Sequence, residues 1–246
     1  DGTVPDYFLS YLRTYIERDV RTMAAIEDLP TFERFLGLTA ALTAQEINYS
    51  KLGQEIGVTP TTAHRWLALL GATYQWLEVF PYHGNAIKRL SGKRKGYLQD
   101  TGFACYLQRI SSPEALAVSP FRGQMFETWV VNNLHRQFVN LSVPPQAYHW
   151  RTSGGAEVDL LLERDGKLYP IEVKGKSHLT GHDARGIRAF RDTYPGQEVM
   201  TGLIVYAGNS CHKVDAHTIA LPWNAMFAGG PYPPPGTVPT PLDKSP

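Results

Sequence analysis

Hydrophobic positions recur every three to four residues in the first half of the chain and every two in much of the second. Over residues 7–25, Leu9, Leu12, Tyr15, Ile16, Val20 and Met23 keep helical spacing, with Arg13, Glu17, Arg18 and Asp19 between them. That is an amphipathic helix whose apolar stripe needs a partner. A second helical pattern covers 31–42, with Phe32, Phe35, Leu36 and Leu42 facing inward. A short helix over 50–56 gives way to Gly57-Val58, and Thr59-Pro60 then opens a helix that runs to Leu70 and stops at Gly71. Thr59 caps free amides, Pro60 suits the first helical position, and Gly71 tolerates the left-handed conformation that follows a last turn. Two short helices around a glycine-containing turn make a helix-turn-helix. Residues 76–81 and 86–90 flank the turn-forming His83-Gly84-Asn85, which predicts a β-hairpin beside it.

The second half begins with a helix over 121–138 whose buried stripe is Phe126, Trp129, Val130 and Leu134. Three strands follow at 147–151, 156–163 and 167–174, separated by Gly154-Gly155 and Asp165-Gly166 turns. A helix over 181–194 and strands over 202–206 and 218–221 complete an αβββαβ order. Residues 229–246 are dense in proline and glycine and have almost nothing to bury, which predicts a mobile tail.

Composition narrows the class. At 246 residues and 43% hydrophobic content the chain has material for two compact domains. The expected division is a helical linker over 1–30, a winged-helix domain over 31–115, an α/β domain over 116–228 and the tail. Cys105 and Cys211 have no Cys-x-x-Cys partner, so neither a disulfide framework nor a zinc site is indicated, and a reducing cytoplasm fits. No stretch approaches the roughly 20 apolar residues that span a bilayer. The net charge is only +1, yet nine Lys or Arg stand against five Asp or Glu between Thr31 and Ile110. That segment suits a polyanionic partner.

The chemistry concentrates in one hairpin. With Asp165-Gly166 as a two-residue turn, Asp159 lies across from Glu172 and Glu157 across from Lys174, so all four share one face. Val158, Leu160, Leu162, Tyr169, Ile171 and Val173 line the other. Like charges directly opposed repel unless a cation intervenes, and magnesium accepts such hard oxygen ligands. Lys174 would orient a water or stabilise charge developing on a phosphate. Glu127, on the preceding helix, supplies a further acid. The competing reading is a solvated strand face on which Glu157 pairs with Lys174. Gly175-Lys176-Ser177 is no phosphate loop, because Pro170 stands where the first glycine is required.

Asp159, Glu172-x-Lys174 and Glu127 resemble the metal-dependent nuclease superfamily known as PD-(D/E)XK, which implies a restriction-endonuclease-like fold. The resemblance implies Asp159 and Glu172 as ligands of Mg (or Mn), the Val173 carbonyl as a third, Lys174 beside the attacking water, and Glu127 assisting. Val158 stands where the motif has proline. The series Tyr15-Ile16-Glu17-Arg18-Asp19-Val20, Asp100-Thr101-Gly102, Trp150-Arg151-Thr152, Glu157-Val158-Asp159 and Ile171-Glu172-Val173-Lys174 is similar to the carboxyl-terminal half of a prokaryotic AAA+-type ATPase family. That half carries a DUF4143-like domain of unknown function. This resemblance implies an ATPase domain as partner, and that domain is not within these residues.

DNA is the expected macromolecular partner. Thr61, Thr62, His64 and Arg65 fall at the start of the second helix of the helix-turn-helix, where base edges and phosphates are met. Lys88, Arg89, Lys93, Arg94 and Lys95 supply phosphate contacts, and Arg185, Arg188 and Arg191 form a second basic stripe beside the carboxylates. The alternatives are a non-catalytic DNA-binding or assembly module and a winged-helix transcriptional regulator.

Overall fold

Short polar side chains start the helices of the first half. In the computed structural model, which describes residues 3–20, 26 and 28–227, Thr3 caps α1 (Val4–Thr14) and Asp28 caps α2 (Leu29–Ala41). Asn48 caps α3 (Tyr49–Ile56), and Thr59 caps α4 (Pro60–Ala72). Each side-chain oxygen accepts from an amide that the first helical turn leaves unpaired. α1 passes into a π-helical turn over Tyr15–Val20; Met23 of the predicted stripe lies outside the described residues, as does the predicted tail. α3 and α4 meet at Gly57, φ 80°, and a Cβ on Gly53 would stand 2.6 Å from the Val58 carbonyl oxygen. Gly71 does not end α4. The amides of Tyr74 and Gln75 return to the carbonyls of Gly71 and Leu70, and Tyr74 itself, φ 58°, takes the left-handed conformation. Trp66 closes this helical core edge-on to Phe32 and Phe35, at 5.3 and 5.2 Å between ring centres.

The predicted hairpin keeps its first strand and loses its second. β2 (Trp76–Pro81) forms where alternation places it. Residues 86–91 are instead a helix, α5 (Ala86–Ser91), because Asn85 Oδ1 accepts from the amides of Ile87 and Lys88 at 2.9 and 3.3 Å. The true partner is β3 (Lys95–Leu98), antiparallel to β2 with Val79 opposite Lys95. β1 (Gln45–Glu46) adds to its other edge. Gly96 is required there, since a Cβ would fall 1.9 Å from the Trp76 ring. α6 (Thr101–Leu107) and α7 (Pro113–Val118) lead into α8 (Arg122–Phe138).

β4 (Gln146–Arg151), β5 (Glu157–Arg164) and β6 (Lys167–Lys174) form an antiparallel meander. Asp165 (φ 53°) and Gly166 (φ 74°) supply the two left-handed residues of the tight turn. The register follows, with Leu160 opposite Ile171 and Leu162 opposite Tyr169. A 3₁₀ turn over Gly181–Ala184 runs into α9 (Arg185–Thr193). β7 (Glu198–Val199) and β8 (Gly202–Tyr206) lie parallel to β6, and β10 (Thr218–Pro222) lies parallel to β8. The outer strand β9 (His212–Asp215) has no apolar alternation and was not anticipated.

Among the described residues the strands form one sheet in the order β1-β3-β2-β4-β5-β6-β8-β10-β9, with β7 beside β6. The parallel pairing of β2 with β4, Phe80 opposite Tyr148, joins the two halves through the backbone. α8 covers one face, Val130 and Val131 packing with Leu160, Leu162, Ile171 and Val173. α9 covers the other, Phe190 packing with Trp150, Leu161 and Leu168. Among the described residues no helix is long and apolar enough to cross a membrane.

Candidate functional site

The hairpin of β5 and β6 opens at one end, and the charged residues gather there. Pairing stops at Leu160 and Ile171. One residue further, Asp159 Oδ2 accepts the Val173 amide at 2.9 Å. Alternation breaks at the same place: Val158 packs with Trp150, Leu161 and Phe190 on the α9 face, not with Leu160 and Leu162. The β4–β5 register shifts alongside, between Tyr148 and Trp150. Glu157, Asp159, Glu172 and Lys174 therefore do not form the solvated strand face of the competing reading, nor the single regular face of strict period two. Asp159 and Glu172 are only 3% and 2% exposed. α9 seals this end, since a Cβ on Gly186 would lie 1.8 Å from the Glu157 carbonyl and 2.1 Å from Glu172 Oε1.

The cation between the carboxylates is a lysine from the other half of the chain. Lys95 Nζ stands 2.6 Å from Glu127 Oε1 and 3.0 Å from Asp159 Oδ1. Tyr97, two residues on and thus on the same side of β3, donates its hydroxyl to Glu127 Oε1 at 3.0 Å. Lys95 is 7% exposed, which overturns its expected place among surface phosphate contacts. Lys174 pairs with Glu172 at 2.5 Å, and Glu157 turns to Arg151 at 3.5 Å. The carboxylates that share one cation are Glu127 and Asp159, where the sequence pointed to Asp159 and Glu172.

Burial and mutual repulsion separate the acids electrostatically. Burial, then the charge of Asp159, pushes Glu127 up to about 7 against the pull of Lys95 and Tyr97. Glu172 rises to about 7 for the same two reasons, against Lys174. Asp159 is equally buried, but Lys95, Lys174 and the Val173 amide outweigh that and hold it below the usual carboxylate range. Burial opposes the charge of Lys95, yet Asp159 and Glu127 keep it protonated well above the ordinary lysine range. Burial drives His149 down to about 4, so it is neutral at pH 7; its Nε2 lies 3.0 Å from the Lys93 carbonyl.

The donors present are of the kind a hard divalent cation takes, two or three carboxylates and a backbone carbonyl. Their arrangement is not. Among the described residues no three His, Cys, Asp or Glu side chains converge as a metal nest, and each acid of the centre already holds a lysine. A cavity of about 400 Å³ opens onto Lys95 and Glu127 and is also lined by Gln45, Gln124, His149 and Arg151. Gln124 Oε1 is buried on this side without a hydrogen-bond partner among the described residues. His149, Tyr97 and Gln124 were not singled out from the sequence. The Lys95-x-Tyr97 alternation in a short strand was the available signal.

The basic residues divide into used and available. Thr61, His64 and Arg65 are exposed on α4 and Thr62 half-exposed, while Lys88 and Lys93 are exposed near α5. Arg89 is committed to Glu163 at 2.9 Å and lies over the Tyr82 ring. Arg94 is committed to Glu78 at 2.7 Å and lies over Phe80. On α9, Arg188 pairs with Asp215 at 2.8 Å, and Arg191 donates to the Val199 and Met200 carbonyls. Arg185 alone of that stripe is exposed without a partner among the described residues. Of the eight basic residues in the two expected patches, five are internal ties, since Arg89, Arg94, Lys95, Arg188 and Arg191 each meet a carboxylate, ring or carbonyl.

Over 220 residues the chain is 27% identical to the uncharacterized protein Rv2008c of Mycobacterium tuberculosis and equally to the uncharacterized protein Mb2031c of Mycobacterium bovis. Each match covers 89% of this chain and 48% of the relative, so the chain spans about half the length of the curated relatives it matches. No solved structure matches. Residues 3–114 match a domain of unknown function (DUF8612), and residues 122–226 match a second (DUF4143). The chain is thus similar to two domain families of unknown function in succession, each over less than half of its length.

Proposed function

We propose that this chain is a DNA-associated module with a phosphodiester-cleaving centre of the PD-(D/E)XK kind at Glu127, Asp159, Glu172 and Lys174, held latent by Lys95. The observation that carries the reading is the convergence of these four residues at the open end of the β5–β6 hairpin, each buried or half-buried and each tied to a counter-charge. Lys174, steadied by Glu172, is the cation best placed to meet a phosphate oxygen, and the Val173 amide fixes Asp159 beside it. The helix-turn-helix of α3 and α4, followed by the β2–β3 ribbon, supports a winged-helix reading of the first half. Thr61, His64, Arg65, Lys88 and Lys93 are then the residues facing DNA. An ATPase domain of the same family is the partner the resemblance implies.

The test is cleavage of end-labelled DNA with Mn²⁺ by the wild-type chain and its Lys174→Ala and Asp159→Asn variants. Cleavage lost in both variants, with melting transitions retained, is expected; cleavage that survives both removes the assignment. One observation favours a second reading, a non-catalytic DNA-binding or assembly module. Lys95 already balances Glu127 and Asp159, so the centre is a self-satisfied ion network. DNA binding without cleavage under every metal tried is its signature.

A further inference from the structure

We infer that the chain's own proline-rich segment, residues 235–243, docks in an apolar groove between α1 and the connection from α6 to α7. The groove encloses about 470 Å³ and is walled by Val4, Pro5 and Phe8 of α1 and by Tyr106, Ile110 and Leu116. Phe8 packs on Phe103 and Tyr106 at 5.9 and 5.8 Å between ring centres, whereas Val4 is left 69% exposed. Among the residues lining the groove one is charged, Arg109, whose exposed guanidinium has no partner among the described residues.

The sequence after Phe227 matches this chemistry. Residues 228–246 fall outside the described residues, and they carry Pro235, Val238 and Pro241 at every third position. A polyproline II helix has three residues per turn, so these three share one face, and such helices dock in aromatic-lined grooves. Asp243 is the single acid of residues 228–246, and it stands at the end of that face, where Arg109 can meet it. The tether also reaches. Trp223 packs on Trp129 of α8 at 5.4 Å between ring centres. From Trp129 back to Arg122 is about 10 Å of helix, and Leu116 of the groove lies in α7, the helix before. From Phe227 to Pro235 the backbone extends up to about 26–29 Å. Tethering holds the segment at an effective concentration on the order of 1 mM, so a site with a Kd of only ~0.2 mM is mostly filled. A segment too poor in core-forming residues to fold by itself can still cover a surface that α1 and α7 leave open.

Cys105 lines the groove, and Cys211 is the other cysteine of the chain. The experiment is therefore the rate of Cys105 alkylation by N-ethylmaleimide in the full chain carrying C211S, alone and with V238D, D243R, R109D or R109D/D243R. Val238 and Asp243 belong to no described helix or strand, and aspartate tolerates the left-handed conformation of Arg109, φ 58°. V238D should speed alkylation at least ~5-fold, the protection that a mostly filled site provides. D243R should speed it at least ~2-fold, the scale of an exposed ion pair, and R109D/D243R should return it towards the C211S rate. A synthetic peptide of residues 229–246 should slow alkylation of the V238D chain again. Equal rates in C211S, V238D and D243R overturn the inference, as does a double variant that reacts as fast as either single one. A C211S rate that falls with rising protein concentration gives the groove to the tail of a second copy and likewise overturns the intramolecular assignment. Neither DNA nor metal enters the readout, so the outcome is independent of the proposed cleavage.

Discussion

Replacing Lys95 with methionine leaves the length and apolar stem of the side chain nearly intact and removes only the charge. Glu127 and Asp159 are then two buried carboxylates without their shared partner. Breaking a buried ion pair by deleting one member costs about 3–5 kcal/mol, because the orphaned charge stays in low dielectric. The cost depends on pH with a definite sign. Glu127 is raised to about 7 in the folded protein, so the fold binds an extra proton below that pH, and the associated stability is lost as pH rises through it. In K95M a proton on Glu127 relieves the repulsion at pH 5.5; with Lys95 gone Glu127 is raised further, so holding or losing that proton becomes costlier as pH rises to 8.5. Urea denaturation at the two values should place the loss near the lower end of that range, or below it, at pH 5.5 and near the upper end at pH 8.5. Adding Asp159→Asn should recover part of the loss, since the two sites are in contact and their effects are not additive. A K95M protein destabilised by less than about 1 kcal/mol at pH 8.5, the scale of an exposed ion pair, would show that the ammonium is not where the reasoning puts it.

Gly186→Ala places a methyl 1.8 Å from the Glu157 carbonyl and 2.1 Å from Glu172 Oε1, so α9 must lift; the expected loss is about 1–3 kcal/mol, and an unchanged denaturation midpoint contradicts the packing. His149, neutral and held near 4 when folded, binds its proton more readily in the unfolded chain. Stability should therefore fall as pH drops from about 6.5, by about 2 kcal/mol at pH 5, and His149→Gln should remove that component. Lys88→Ala and Lys93→Ala should each weaken DNA binding and lower the dependence on log salt by about one. Arg94→Ala should leave that slope unchanged and cost stability through Glu78 and Phe80; the reverse pattern, read by fluorescence anisotropy over a salt series, would return Arg94 to the DNA surface.

Where local chemistry decides the outcome, the sequence was legible. Asp165-Gly166 can supply two left-handed residues, and that turn alone sets the β5–β6 register. Thr59-Pro60 opens α4 for reasons internal to one turn of helix. One failure is a local cap that was missed, and the others are tertiary. Asn85 captures two amides and makes 86–91 a helix, which moves the second ribbon strand to Lys95 and its neighbours. Lys95 then reads as one more cation in a basic run, although the β2–β4 pairing carries it to the acidic hairpin. Period two likewise predicts one regular charged face and leaves its burial open. The break at Val158 and the close approach of Gly186 bury it, and neither is a property of the hairpin sequence alone.

The placement of Lys95 between Glu127 and Asp159 is most directly tested by the crystal structure of the wild-type chain. Density that sets the Lys95 ammonium in contact with both Glu127 and Asp159 is the expected result; a Lys95 side chain turned into the adjoining cavity and away from both acids would contradict it.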